Sequence, residues 1–246
     1  MENGVKNTLE KTLRVPISGC DCGARLGVAD TFSLFMDMAA EHAELLGCGG
    51  AAMAARGLFW LTVRTRVRFF ERPALMDEVT AATWPGKPGH VRCERFYTLS
   101  NKDMMLAQGR TEWAVLDSAS GKLSVISDIY PEGLLFREDA VCEEPFVRMN
   151  EDFDGAQKLG EYTVRSTDID LGGHMNNAAY VHALMGVFTA KQLSAMRVSE
   201  LEVCFRAPCF EGETLTVFSR PCAQATEFAM LRPDAKVALV ARMSFH

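Results

Sequence analysis

Apolar and polar residues alternate along this chain with two periods, and the period changes mark its elements. Thr12 to Ile17 reads as a short strand, followed by a loop around Cys20 to Gly27. A helix is predicted from about Asp30, with Phe32, Phe35, Met36, Ala39, Ala43 and Leu46 at helical spacing and Gly47, Gly49 and Gly50 at its end. Its neighbours Glu41 and His42 point about 100° apart, so surface or structural roles are expected for both. From Phe59 the period becomes two: Phe59, Leu61, Val63, Val67 and Phe69 fall on one face, Arg64, Arg66 and Arg68 on the other. Further strands are predicted at Glu78 to Trp84, Val91 to Leu99 and Met105 to Leu116, separated by Gly/Pro and Asn/Asp turn signals.

Between Tyr130 and Lys158 the alternation stops and acidic residues accumulate, which predicts a connection between domains. The first pattern then returns. A strand at Leu159 to Arg165 leads to a polar turn, a helix from about Asn177 to Leu193, and strands near Val198 to Phe205, Thr214 to Ser219, Thr226 to Leu231 and Lys236 to Met243. The repeated order predicts two copies of one α+β unit, each a curved antiparallel sheet wrapped around a helix. The division drawn from it is 1–136 for the amino-terminal domain, 137–158 for the linker and 159–246 for the carboxy-terminal, catalytic domain.

The polar turn, Ser166 to Tyr180, concentrates the groups able to do chemistry. Asp168 and Asp170 supply carboxylates, Gly172 and Gly173 allow a tight turn, and His174 supplies a group titrating near neutrality. Asn176 and Asn177 stand at a helix N-cap before Tyr180, Val181, Leu184 and Phe188. The equivalent loop of the first copy, Cys20 to Asp30, contains no histidine, so one half is expected to catalyse and the other to bind or shape the site.

With 48% hydrophobic and 24% charged residues the 246-residue chain has the make-up of a globular protein. No apolar run is long enough to span a bilayer and the amino terminus lacks a signal peptide's apolar stretch, so a cytoplasmic protein with no membrane segment is expected. The eight cysteines are then expected as free thiols, and Cys20 and Cys22 lack the companions of a zinc site; neither metal nor cofactor is expected. A net charge of -6 argues against nucleic-acid binding.

The run Asp168-Ile169-Asp170-Leu171-Gly172-Gly173-His174-Met175-Asn176-Asn177 followed by Tyr180 resembles the active-site signature of the acyl-ACP thioesterases of plants and bacteria. Ala39 to Gly47, Trp60 with the arginine-bearing strand, and Asp77-Glu78-Val79 through Thr83-Trp84-Pro85 are similar to that family's amino-terminal domain, so the likeness covers nearly the whole chain. It implies two tandem hotdog domains joined edge to edge and hydrolysis, within fatty acid biosynthesis, of the thioester between a fatty acyl chain and acyl carrier protein. By position, Asp170 matches the family's catalytic aspartate and His174 its histidine. Gly172 stands where the family usually has asparagine, Pro208 where a glutamate is expected, and Cys209 beside it matches a cysteine considered as nucleophile.

Chemically, Asp170 would activate water or attack the carbonyl itself, with His174 hydrogen-bonding the water or thioester and helix amides stabilising the oxyanion. A thiol in an apolar surround, as at Cys209, is more often inert than reactive. The acyl chain is expected between sheet and helix at Phe32, Phe35, Met36 and Ala39, and the acidic carrier protein at Arg64, Arg66 and Arg68. An acyl-CoA thioesterase, another hotdog enzyme such as a hydroxyacyl dehydratase, and a non-catalytic acyl-binding protein remain open alternatives. The sequence sets neither acyl chain length nor oligomeric state, a homodimer included.

Overall fold

The computed structural model describes residues 7–126 and 128–246, so the first six residues of the amino-terminal division lie outside it. Among the described residues ten strands form a single antiparallel sheet: β1 Leu9–Arg14, β2 Leu58–Phe69, β3 Glu78–Pro85, β4 Cys93–Asn101, β5 Met104–Asp117, β6 Gln157–Thr163, β7 Val198–Phe205, β8 Thr214–Cys222, β9 Ala225–Leu231 and β10 Val237–Phe245. Their order across the sheet is β1-β3-β4-β5-β2-β7-β10-β9-β8-β6. Each half of that order is the other reversed, with β2 and β7 meeting at the centre, which is the arrangement of two hotdog units joined edge to edge.

The helices α1 Val28–Leu45 and α3 Asn177–Met185 lie on the concave face, and short helices follow each, α2 Gly50–Ala55 and α4 Ala190–Ala195. Val28, Phe32, Phe35, Ala39 and His42 make the buried stripe of α1. The helix stops where Gly47 takes φ +71°, with Cys48 N–H donating to Ala43 O and Gly47 N–H to Glu44 O. The second helix is shorter than the sequence predicts. Instead of running to Leu193 it ends at Gly186, and Thr189 recaps the chain by a capping box with Gln192. At Gly109 a Cβ would stand 2.8 Å from the Phe35 ring, so glycine lets α1 approach β5 and lets Phe35 stack on Tyr97 with centroids 5.0 Å apart.

In β2 the register shifts between Thr62 and Arg64. This bulge adds one residue and exchanges the faces, so Trp60 and Thr62 point inward while Phe59 and Leu61 are exposed, opposite to strict alternation from Phe59. Beyond it Thr65, Val67 and Phe69 are buried on the helix side and the arginines lie on the outer face.

That outer face is not open. The connection after Tyr130 runs across it as a strap, and arginines of the sheet hold its backbone. Arg66 donates to Glu144 O at 2.7 Å and Pro145 O at 2.8 Å, Arg110 to Cys142 O and Glu143 O at 3.1 Å, and Arg220 to Asn150 O at 3.1 Å. Phe146 lies under the guanidinium groups of Arg64, Arg66 and Arg110, and Phe153 under that of Arg220.

Candidate active site

The turns that precede α1 and α3 have the same backbone. Each begins with a single 3-10 turn, Ile17–Gly19 or Ser166–Asp168, and closes through a bridge, Cys20 to Leu26 or Ile169 to Met175. Asp21 N–H donates to Arg25 O at 2.9 Å, and Asp170 N–H to His174 O at 3.0 Å. Gly23 N–H donates to the Asp21 carboxylate at 2.8 Å, and Gly172 N–H to that of Asp170 at 2.7 Å. Ala24 and Gly173 both take positive φ, 56° and 75°. The polar turn therefore occurs in both halves, with Arg25 in the place of His174; the sequence shows only the second because the shared geometry is carried by backbone hydrogen bonds.

The two turns differ in what surrounds the aspartate. Arg72 Nη1 lies 2.7 Å from Asp21 Oδ2, and the side chain of Asp21 is 7% exposed. Leu26 N–H bonds to Pro73 O and, in the second half, Met175 N–H bonds to Cys209 O, so Pro208 takes the place of Arg72. Asp170 is left without an arginine partner among the described residues. Its carboxylate, 30% exposed, instead has His174 beside it, Nδ1 to Oδ1 3.8 Å, with the imidazole 37% exposed. Asp168 plays a structural part, since its carboxylate accepts from Tyr162 Oη and Arg165 N–H, both at 2.8 Å, and fixes the turn.

Gly172 supports the Asp170–His174 pair sterically. A Cβ there would stand 2.9 Å from His174 Nε2 and 3.0 Å from Asp170 Oδ1, so glycine lets imidazole and carboxylate close over the backbone. Asn176 caps α3 by accepting from Ala178 N–H at 2.8 Å, and Asn177 donates to Thr62 Oγ1 of β2 at 2.7 Å. The second contact ties the mouth of α3 to the central strand of the other half. Thr62 gives no signal of this in the sequence, since its partner lies 115 residues away.

Cys209 does not share the site's exposure. It is 0% exposed in the core, and burial pushes its thiol up, opposed by a hydrogen bond with Tyr180. An enclosed thiol whose ionisation burial disfavours is the reverse of what a nucleophile needs. The residues expected to bind substrate separate into two pairs. Phe32 and Phe35, 1% and 0% exposed, are packed core, whereas Met36 and Ala39 line a cavity of about 210 Å³ with Ala40, Ala43, Trp60 and Trp113. Trp60 lies two residues from Thr62, about 7 Å along β2, so this cavity lies beside the strand segment that anchors the α3 mouth.

Arg64, Arg66 and Arg68 do not form a free basic patch. Arg64 pairs with Glu112 at 2.6 Å, Arg66 with Glu202 at 2.6 Å, and Arg68 with Glu200 at 3.0 Å and Glu144 at 3.1 Å. The first partner lies on the adjacent β5, and Glu200 and Glu202 lie on β7 directly opposite Arg68 and Arg66. The alternation places the three arginines on one face, but Arg64 is paired within its own half, and Arg66 and Arg68 are paired across the seam and to the strap.

Two family models describe this sequence: the acyl-ACP thioesterase N-terminal domain over residues 6–133 and the acyl-ACP thioesterase C-terminal domain over residues 152–237. The chain belongs to the acyl-ACP thioesterase family. The oleoyl-acyl carrier protein thioesterase of Coriandrum sativum is 20% identical over 207 residues, 77% of this chain and 56% of that protein. The palmitoyl-acyl carrier protein thioesterase of Gossypium hirsutum is 23% identical over 200 residues, 77% of this chain and 48% of that protein. The chain thus spans about half the length of these curated relatives. An acyl-ACP thioesterase from Bacteroides thetaiotaomicron superposes with a TM-score of 0.86 at 18% identity, and the 12:0-ACP thioesterase from Umbellularia californica with 0.80 at 16% identity, each covering 98% of both chains. These likenesses establish the double hotdog fold of this acyl-ACP thioesterase family member. No helix among the described residues is long and apolar enough to cross a membrane.

Proposed function

We propose that this protein hydrolyses acyl-acyl carrier protein thioesters and releases the free fatty acid. One observation carries this reading. The turns of the two halves match bond for bond, yet only the second exchanges the arginine that neutralises its aspartate for proline and sets a histidine beside the freed carboxylate. In a family named for acyl-ACP thioesterase domains, that exchange converts a structural turn into a reactive one.

In this reading Asp170 draws a proton from water attacking the thioester carbonyl, the C–S bond breaks, and the carrier's thiol leaves with that proton, while His174 hydrogen-bonds the water or the sulfur side of the ester. Their 3.8 Å separation closes when substrate enters, as catalytic contacts commonly tighten in the complex. The first-turn N–H groups of α3 face developing negative charge with the positive end of the helix dipole. The acyl chain passes along β2 from Thr62 past Trp60 into the cavity at Met36 and Ala39. That cavity is small beside the roughly 300–1,000 Å³ usual for ligand pockets, which favours short acyl groups.

The test is a panel of acyl-ACP, acyl-CoA and hydroxyacyl thioesters, following free thiol and double-bond formation separately. Thiol release from acyl-ACP at higher kcat/KM than from acyl-CoA supports the proposal. Double-bond formation without thiol release would assign a dehydratase instead.

A further inference from the structure

Two arginines are buried among the described residues, and they are treated differently. Arg66 is met by Glu202, as the cost of burying a charge requires. Arg95, on β4 and 4% exposed, forms no ion pair with any described carboxylate, although its side chain lines the apolar cavity assigned above to the acyl chain. Its Nη1 donates to His42 Nδ1 at 3.0 Å and Thr83 Oγ1 at 3.4 Å. Because a guanidinium has no acceptor, His42 Nδ1 is the acceptor, which makes the imidazole neutral and leaves the arginine's charge uncompensated.

A second donor on the same wall is also unmatched. The indole N–H of Trp113 is buried without a hydrogen bond of good geometry among the described residues, with the equally unsatisfied Tyr97 hydroxyl beside it. Glu44, the one carboxylate on the lining, is exposed and lies against Gly49, where an added Cβ would stand 2.0 Å from its carboxyl carbon. The remaining lining is apolar or aromatic, including Met36, Ala39, Trp60 and Tyr130. A cavity for a plain hydrocarbon chain gains nothing from an uncompensated cation and an idle N–H. Both fit an oxygen anion arriving with the ligand, since a guanidinium presents its N–H groups as a fork matched to a carboxylate.

We infer that the cavity takes an acyl chain whose far end carries a carboxylate, received by Arg95 and Trp113 while the thioester lies at Asp170 and His174. The inference rests on the proposed thioester hydrolysis and adds the chemical class of the acyl group. Arg95 is then the residue that sets specificity for the acyl terminus.

The test compares suberyl-ACP, with a terminal carboxylate, and octanoyl-ACP, its methyl-terminated counterpart, for the wild type and Arg95→Met. The wild type should favour suberyl-ACP, and Arg95→Met should lower its kcat/KM by about 10- to 100-fold while octanoyl-ACP changes by less than about threefold. A wild-type preference for octanoyl-ACP, or an equal loss on both, overturns the inference and leaves the thioesterase reading standing. If Arg95→Met does not fold, Arg95→Lys keeps the charge without the fork and must still reduce the suberyl-to-octanoyl ratio; an unchanged ratio overturns the inference. If neither thioester is hydrolysed the functional proposal fails, and the inference is decided by calorimetric titration with suberate against octanoate: Arg95-dependent binding of suberate supports it, and no binding of suberate overturns it.

Discussion

Arg72 Nη1 lies 2.7 Å from Asp21 Oδ2, and the position equivalent to Arg72 in the second half is Pro208. Burial alone would push the Asp21 carboxyl up. The Arg72 hydrogen bond and charge, joined by N–H groups of Gly23 and Arg25, outweigh it and hold the carboxyl below its ordinary value. A group depressed in the folded state stabilises the protein above its unfolded pKa, about 3.9, and loses that contribution as pH falls through its lower folded value. Arg72→Met should therefore lower Tm at pH 7, and the gap to wild type should narrow below about pH 4. Thermal melts across that range check it; a gap independent of pH would contradict the ion pair.

Cys209 is expected to tolerate serine. Burial raises its thiol, which disfavours the thiolate that attack would need. Steady-state thiol release by a folded Cys209→Ser variant should stay within about tenfold of wild type, whereas a loss of about 100-fold or more would restore a cysteine nucleophile.

Ala39 is 4% exposed at the wall of the cavity, where any larger side chain takes space from the ligand. Ala39→Phe should shift preference toward shorter acyl groups. A chain-length profile unchanged in the folded variant would place the acyl chain elsewhere.

The Arg66–Glu202 pair joins the halves with both side chains at most 3% exposed. Arg66→Ala leaves Glu202 as a buried carboxylate, with Val147 N–H still donating to it, and should cost about 3–5 kcal/mol in urea unfolding. Replacing both by apolar residues of similar size should recover most of that loss. A single variant near wild-type stability would show that the seam does not depend on this pair.

The sequence carries the elements well because two physical periods, helical and alternating, survive in the packed sheet. It carries the bulge before Arg64 poorly: one added residue turns Phe59 and Leu61 outward, and no residue type in that stretch marks it. The turn at Asp170 and His174 is legible because its chemistry is local, within five residues. The partners of the arginines are not, because Glu200 and Glu202 reach them from more than 130 residues away and the strap covers the face they share. Arg95 is hidden for the same reason, since only the folded cavity shows that no described carboxylate meets it.

In the proposed function, two turns of one shape divide into a structural copy and a reactive copy. Thiol release from acyl-ACP by Asp170→Asn and by Asp21→Asn, each confirmed as folded, separates the two roles. Asp170→Asn should lose about 100-fold or more in kcat, while Asp21→Asn keeps near-normal turnover at a lower Tm. Near-normal turnover by Asp170→Asn, or an equal loss by both variants, would contradict it.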